Sequence, residues 1–294
     1  MILNPGTALK PRRTAPTPED QLPVSREPVT ARAVRRVRPG RRPPEPELDA
    51  VAVEEPLEIR LGGRPLAVTM RTPGLEREMV LGFLFAEGLI SQASDAEVRI
   101  EPRGNLARVR LRSGRCAPSL ARATRRGTIT TSACGVCGRT SVQDLIARVG
   151  HARDAAPISA AVIARAPRIL RGAQPSFGKT GGLHAAAALD RRGRLVASAE
   201  DVGRHNAVDK VVGLLIDARD LAAAALLTVS GRASFEILQK AAAARIPAVA
   251  AVGAPSSLAI DLAERAGIAL AGFVSAGRFN LYSHPERVTS TVDE

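Results

Sequence analysis

The sequence predicts an α/β fold, a mixed sheet with helices on both faces, plus a smaller α+β subdomain on its N-terminal side. Three observations predict this class. After position 180 several short runs are apolar throughout, which is typical of strands buried on both faces. Helical patterns alternate with those strands, which favours a largely parallel order among them. Before position 113, apolar and polar residues alternate instead, as in half-buried strands.

The composition limits the kind of protein this can be. Of its 294 residues 45% are hydrophobic but only 2% aromatic, so the core must be built from Ala, Val, Leu and Ile. No apolar run reaches the roughly 18 residues of a membrane-spanning helix, and the start lacks the apolar region of a signal peptide. Three cysteines are too few for a secreted disulfide framework. We therefore expect a cytoplasmic protein with no membrane partner.

Almost half of the net charge of +13 lies in the N-terminal segment. Residues 1–46 contain ten Lys or Arg against four acids, and ten of the 21 prolines. Such a segment buries too little apolar area to order itself, so we predict a disordered basic tail. Because aromatic side chains suited to base stacking are nearly absent, no nucleic-acid partner is expected.

Residues 50–113 form the predicted α+β subdomain. Two alternating runs flank the turn "GGRP" and predict a hairpin, "LEIRL" and "LAVTM". A helical apolar face follows in "EREMVLGFLFAEGLI". A second hairpin is predicted by "EVRIEP" and "ARVRLR".

Residues 114–150 hold the pair Cys134 and Cys137, in the run "TSACGVCGRT". The segment is rich in Gly, Ser, Thr and Arg and has no clean period before the helical "SVQDLIARV". It therefore predicts an exposed loop followed by a helix, and chemistry is often displayed on such loops.

Residues 151–294 read as the larger α/β domain. A helix, "PISAAVIARAPRIL", precedes the hairpin strands "LHAAAALD" and "LVASAED". Helices and strands then alternate through "GRHNAVDKVVGLLIDAR", "ALLTVS", "SFEILQKAAAAR", "AVAAVG", "SSLAIDLAERAG" and "IALAGFVS". From the hairpin onward the order is ββαβαβαβ, which is that of the cytidine-deaminase fold. This analogy of topology gives no activity by itself.

The deaminase chemistry and a zinc site are both disfavoured by the residues. Zinc deaminases use His–x–Glu and a later Pro–Cys–x–x–Cys, whereas the corresponding runs here are "HNA" and "SGRASFE". A structural zinc site needs four ligands, and no histidine lies at a ligand spacing near Cys134 and Cys137. Three interpretations of the pair remain: reactive thiols near Arg125, Arg126 and Arg139, a dithiol oxidoreductase, or two buried inert cysteines.

Seven runs, in order, resemble the FdhD family, the formate dehydrogenase accessory sulfurtransferases. They extend from Leu81 to Tyr282 and read "LGFLFAEGLI", "TSACGVCGRTS", "FGKTGGLHAAAL", "EDVGRHNAVDKVVG", "SGRASFEI", "VAAVGAPSSLAI" and "GRFNLY". The family's cytidine-deaminase-like fold agrees with the order of elements above. The basic tail lies outside the resemblance.

The resemblance implies a sulfur carrier and sulfurtransferase. Members accept persulfide sulfur from a cysteine desulfurase and pass it to the molybdenum or tungsten of a bis-molybdopterin guanine dinucleotide cofactor. That cofactor serves formate dehydrogenase. Carried over by position, Cys134 is the persulfide-bearing nucleophile and Cys137 its partner, while Cys116 matches no motif. A homodimer, transient cofactor binding and no zinc are expected as well.

The larger domain is expected to hold the guanine dinucleotide. Glycine-rich loops and helix N-termini after strands suit phosphates, and carboxylates suit guanine nitrogens. Glu200 and Asp209 are possible acceptors of this kind. The expected cofactor-binding residues are Lys179, Thr180, Gly181, Gly182, His184, Asp201, Gly203, Arg204, His205, Ser230, Arg232, Phe273, Val274, Ser275, Ala276, Gly277 and Arg278.

Three functions therefore compete at this point. The first is a sulfur-transferring maturation factor that binds the cofactor. The second is a dithiol oxidoreductase that needs no nucleotide, and the third is a cofactor carrier without sulfur chemistry. Substitutions of Cys134, Cys137, Arg204 and Arg278 distinguish them, because each function depends on a different subset of these side chains.

Overall fold

The computed structural model describes residues 25–41, 44–101, 105–112, 130–131 and 150–290. Within them the strands are β1 Val29–Val34, β2 Glu47–Ala52, β3 Glu55–Leu61, β4 Arg64–Arg71, β5 Ala96–Glu101, β6 Leu106–Leu111, β7 Thr130–Thr131, β8 Ile158–Ser159, β9 His184–Leu189, β10 Leu195–Asp201, β11 Leu226–Val229, β12 Ala248–Ala251, β13 Ala269–Ser275, β14 Arg278–Ser283 and β15 Val288–Thr289. The α-helices are α1 Glu76–Ala86, α2 Ala160–Gly172, α3 Pro175–Thr180, α4 Arg204–Asp217, α5 Phe235–Ala243 and α6 Ser257–Ala266. No helix in these ranges is long and apolar enough to cross a bilayer.

The central sheet has six strands in the order β10-β9-β11-β12-β13-β14. The pairings β11–β12 and β12–β13 are parallel, whereas β9 and β14 pair antiparallel with their neighbours. The predicted mixed α/β class is confirmed, and the parallel register is confined to the three strands that alternate with helices. A helix crossover returns the chain to the same end of the sheet, whereas a tight turn reverses it.

Helices cover both faces of this sheet, because successive strand residues point to opposite sides. Along β9, Ala186 and Ala188 join the core on one face, with α4, α5 and α6. Ala185, Ala187 and Leu189 join the core on the other face, with α2. The alanine-rich strands thus pack without the aromatic residues that the composition lacks.

The smaller N-terminal sheet has the order β5-β6-β3-β4-β7 and packs on the same core through α1. Helices α1 and α4 cross in backbone contact at two glycines. A Cβ on Gly82 would lie 1.9 Å from the Asp209 carbonyl oxygen, and one on Gly213 would lie 1.8 Å from that of Glu78. Only glycine allows this approach, so the two subdomains share one packed core.

The structure differs from the sequence prediction in several segments. Strand β1 lies inside the predicted disordered tail of residues 1–46 and pairs antiparallel with β2. The predicted Gly-rich loop at Lys179 begins as the last turn of α3. Strand β14, not predicted, closes a hairpin with β13. Cross-strand pairing decides such short, weakly patterned segments. Apart from residues 130, 131 and 150, the predicted loop and helix of 114–150 lie outside the described residues.

Candidate functional site

The predicted binding segments meet at one edge of the six-stranded sheet. Strands β11, β12 and β13 are parallel and end at this edge. Strand β9 runs the opposite way and therefore begins here at His184, opposite Asp201 at the end of β10. Ligands of α/β sheets bind where the parallel strands end.

His184 and Arg204 lie beside the glycine turn that follows β11. The position of a Cβ on Gly231 would be 3.4 Å from His184 Nδ1 and 3.9 Å from Arg204 Cδ. Burial, then the charges of Arg204 and His205, lower the pKa of His184, so its imidazole stays neutral at neutral pH. The Nε atom of Arg204 is buried and has no hydrogen-bond partner among the described residues. A cationic, incompletely satisfied group therefore faces this edge.

The next turn joins the same surface through backbone contacts. Gly253 N donates to the Gly231 carbonyl at 3.0 Å, and a Cβ on Gly253 would lie 3.1 Å from Arg232 Cγ. The Arg232 side chain is thus exposed to solvent at the place where the two strand-to-helix turns contact each other. The glycines keep those turns in backbone contact, which is why both are needed here.

Phe273 occupies an unusual conformation at this edge. Its φ of 53° lies in the left-handed region, which is uncommon for a bulky residue, and its N–H donates to the Gly253 carbonyl at 3.1 Å. The strand pairing is irregular between Gly272 and Ser275, which leaves Phe273 exposed while Val274 packs in the core. The bulge therefore displays an aromatic ring that a regular strand would not.

An open pocket lies at the β13–β14 hairpin. Of the remaining predicted residues, Ser275, Ala276, Gly277 and Arg278 are all exposed. The pocket has a volume of about 400 Å³ and is lined by Phe273, Arg278, Phe279 and Asn280. Aromatic rings beside a cation form a surface suited to an anionic, planar ligand.

The segment Lys179–Gly182 lies between α3 and β9. Lys179 is exposed in the last turn of α3, and Thr180 Oγ1 accepts from Gly182 N at 3.2 Å. Gly181 ends the helix with a φ of 67°, a conformation that favours glycine. A Cβ on Gly182 would lie 3.4 Å from Ala52 Cβ, so this turn rests on β2.

Several predicted acceptors are instead occupied within the protein. Glu200 caps α3, since its carboxylate accepts from Ser176 N at 2.9 Å and Phe177 N at 2.7 Å. Ser230 Oγ accepts from Ala185 N at 2.9 Å and holds β11 against β9. Asp201 is fully buried, and Gly203 N donates to its carboxylate at 2.8 Å. In this structure these side chains bond the backbone that underlies the sheet edge.

His205 faces away from the edge, into a separate cavity of about 60 Å³ between the two subdomains. Its Nε2 lies 3.2 Å from Ser234 Oγ and also pairs with Glu236. Both contacts use the same ring nitrogen, so the three side chains do not form a relay of the Ser–His–acid type, which needs both nitrogens. The cavity also contacts Asp209 and Lys240, which pair at 2.6 Å.

The buried Asp209 should contribute to the stability of the protein a component that falls as pH rises. Burial, only partly opposed by Lys240, raises the pKa of Asp209 to about 6. Between about pH 4 and pH 6 the folded state keeps a proton that the unfolded chain has released, so stability falls as pH rises. Relative to Asp209→Asn, the wild type should lose about 3 kcal/mol across that window in urea unfolding curves.

Asp217→Asn is the matched control on the same helix. A hydrogen bond from Arg77 lowers the pKa of Asp217, so this group titrates below the window and its removal should leave the shape of the curve unchanged. Parallel pH curves for the wild type and Asp209→Asn would contradict the assignment.

The three cysteines lie outside the described residues, but the chain leading to two of them does not. Thr130 and Thr131 pair in parallel with Ala67 and Val68 of β4. In sequence, Cys134 follows Thr131 by three positions. The root of the cysteine segment is thus a strand at the edge of the N-terminal sheet.

Sequence reasoning missed two pairs of residues. Thr72 and Lys210 contact the buried Asp201 carboxylate, and Glu236 and Lys240 pair with His205 and Asp209 at the separate cavity. One signal was present for Lys210: it lies on the apolar face of α4, one turn after Asn206, where a lysine implies a buried partner. Nothing local identified that partner.

Comparison with known proteins gives a consistent result. Residues 52–289 match the model of the FdhD/NarQ family. A protein of Anaeromyxobacter sp. (strain K) named "Sulfur carrier protein FdhD" is 50% identical over 258 residues, covering 83% of this chain and 90% of that protein. One of the same name from Mycobacterium bovis is 44% identical, covering 82% and 92%. The crystal structure of a protein described as a formate dehydrogenase accessory protein, from Desulfotalea psychrophila, superposes with a TM-score of 0.72 at 27% identity, covering 89% of this chain and 100% of that one.

Proposed function

The chain belongs to the FdhD/NarQ family, and from this premise we propose that it is a sulfur carrier for the maturation of formate dehydrogenase. It takes persulfide sulfur from a cysteine desulfurase and delivers it to a bis-molybdopterin guanine dinucleotide, which is the acceptor substrate. The motif Cys134–x–x–Cys137 is assigned to sulfur loading, and the sheet-edge site is assigned to binding of the acceptor substrate.

The sulfur-loading step is assigned to Cys134. Its thiolate attacks the outer sulfur of the donor persulfide, the donor's S–S bond breaks, and the donor leaves as a thiolate. One S–S bond replaces another, so no oxidant or reductant is consumed. Cys137 is assigned a secondary role, in releasing the outer sulfur or protecting it.

The acceptor substrate is assigned to the sheet edge. The observation that carries this assignment is that Arg204 and Arg232 lie against the glycine turns at Gly231 and Gly253, while Arg278 lines the pocket beside Phe273, whose N–H bonds the Gly253 carbonyl. The substrate carries pyrophosphates and guanines, which need cations, close backbone approach and a stacking surface. Arg204 Nε, which is buried and has no partner within the described part of the chain, supports the fit, because an anion would supply an acceptor.

Binding of GDP tests the acceptor site without the complete cofactor. Arg278→Ala and Arg204→Ala should each weaken GDP binding by about tenfold or more, the cost of losing a charge-assisted hydrogen bond. Isothermal titration calorimetry measures this directly. Arg192→Ala is the matched control, because Arg192 is exposed in the β9–β10 turn at the opposite edge of the sheet.

Two outcomes would contradict the assignment. If the wild-type protein did not bind GDP, the assignment of the acceptor site would be wrong, and a dithiol oxidoreductase that needs no nucleotide would be favoured. Equal losses in Arg192→Ala and Arg278→Ala would mean that net charge, and not the sheet edge, governs the binding.

A further inference from the structure

A buried polar network connects the end of β4 to the start of α4. At its centre is the Asp201 carboxylate, which is fully buried. Its Oδ1 accepts from Gly203 N at 2.8 Å and from Asn206 Nδ2 at 3.0 Å. Its Oδ2 accepts from Thr72 N at 3.1 Å and pairs with Lys210 Nζ at 2.7 Å. Both oxygens are therefore used inside the protein.

Lys210 completes the network from the second turn of α4. Only 2% of its side chain is exposed. Besides Asp201, its ammonium donates to the Thr72 carbonyl at 2.9 Å and to the Glu200 carbonyl at 3.1 Å. All three of its donors have acceptors in this arrangement, so the buried ammonium is fully hydrogen-bonded.

Neutral hydrogen bonds extend the same connection. Asn206 Nδ2 donates to the Met70 carbonyl at 2.7 Å, and Thr72 Oγ1 accepts from Val202 N at 3.2 Å. Thr72 directly follows β4, the strand that pairs with β7, from which the cysteine segment departs. The helix that begins after Gly203 carries Arg204 at the sheet edge.

We infer that Asp201 and Lys210 are positioning residues for sulfur delivery. They fix the first turn of α4, and with it Arg204, relative to the strand that roots the cysteine segment. A buried ion pair often stabilises a protein no more than well-packed apolar residues of the same size would. Its charged groups must nevertheless meet in one geometry, which fixes the elements that carry them relative to each other. This functional consequence rests on the proposed acceptor site, whereas the network itself does not.

The test uses the full chain with Asp201→Asn, Lys210→Met and the double variant. Each single change leaves an unpaired buried group, whereas the double variant is neutral and better able to fold. Hydrogen exchange by NMR at the amides of Thr72 and Gly203, both donors to Asp201, reports on the network directly. In the double variant these two amides should exchange at least about tenfold faster relative to Ala269 N, which starts β13 at the other end of the central sheet and donates to the Pro247 carbonyl at 2.9 Å.

The functional readout is GDP affinity, measured where every variant is folded. We expect a loss of about tenfold to a hundredfold, the effect of a displaced positioning group. Asp217→Asn is the matched control: it neutralises an exposed pair with Arg77 at the far end of the same helix and should change neither readout.

Each outcome decides a separate statement. If amide hydrogen exchange at Thr72 and Gly203 were unchanged in the double variant, the network would be refuted, whether or not GDP binds. If amide exchange were faster but GDP affinity unchanged, Asp201 and Lys210 would have a structural role only, and the inference that they position Arg204 would be refuted. Wild-type protein that fails to bind GDP would overturn the proposed acceptor site and with it the positioning of Arg204 for that substrate, while the amides would still decide the network.

Discussion

Cys134→Ser is expected to abolish sulfur loading completely. Sulfur transfer needs a thiolate that forms an S–S bond, and a serine hydroxyl neither ionises near neutral pH nor forms that bond. After incubation with a cysteine desulfurase and cysteine, intact mass spectrometry should show one added sulfur atom on the wild type, removable by reductant. The same treatment should leave the mass of Cys134→Ser unchanged.

Two further cysteine variants are the controls. Cys116→Ser should load sulfur like the wild type, because Cys116 lies outside the motif. Cys137→Ser should still load sulfur but carry it less effectively, whereas redox cycling through a disulfide would stop entirely. A wild type that gains no sulfur and forms only a Cys134–Cys137 disulfide would refute sulfur carriage and favour the dithiol oxidoreductase.

Gly213→Ala is expected to be among the most destabilising single substitutions in the chain. The added Cβ would lie 1.8 Å from the Glu78 carbonyl oxygen, which belongs to the α1 backbone and cannot rotate away. Helices α1 and α4 would have to separate, and the core that joins the subdomains would open. We expect a loss of about 3 kcal/mol or more in unfolding free energy, at or above the usual range for overpacking.

Gly172→Ala provides the matched control. Gly172 is the last residue of α2, and a Cβ there would meet nothing within 4 Å. Its effect should stay within about 1 kcal/mol and be stabilising, because alanine restricts the unfolded chain. Urea unfolding of both variants gives the comparison. Equal stabilities of the two variants would show that α1 and α4 do not meet in backbone contact.

Much of the fold could be predicted because its elements carry strong local patterns. The apolar runs of β11, β12 and β13 and the helical period of α4 each have one plausible structure. Strand β1 could not be predicted in the same way, because its ordering depends on pairing with β2 and the segment around it is rich in charged residues and proline. The bulge at Phe273 is likewise set by pairing across β13 and β14.

The sequence by itself determined the class of fold, the family resemblance and the segments that converge at the sheet edge, because short-range periodicity and motifs are local properties. Only the tertiary structure decided what each polar side chain does there. Asp201, His205 and Ser230 all belong to predicted binding segments, yet the first is buried, the second faces another cavity and the third holds two strands together. The Thr72 backbone that meets Asp201 and Lys210 lies 129 and 138 positions away along the chain. Partners and burial at such separations follow from the packing of whole elements, and no local pattern encodes them.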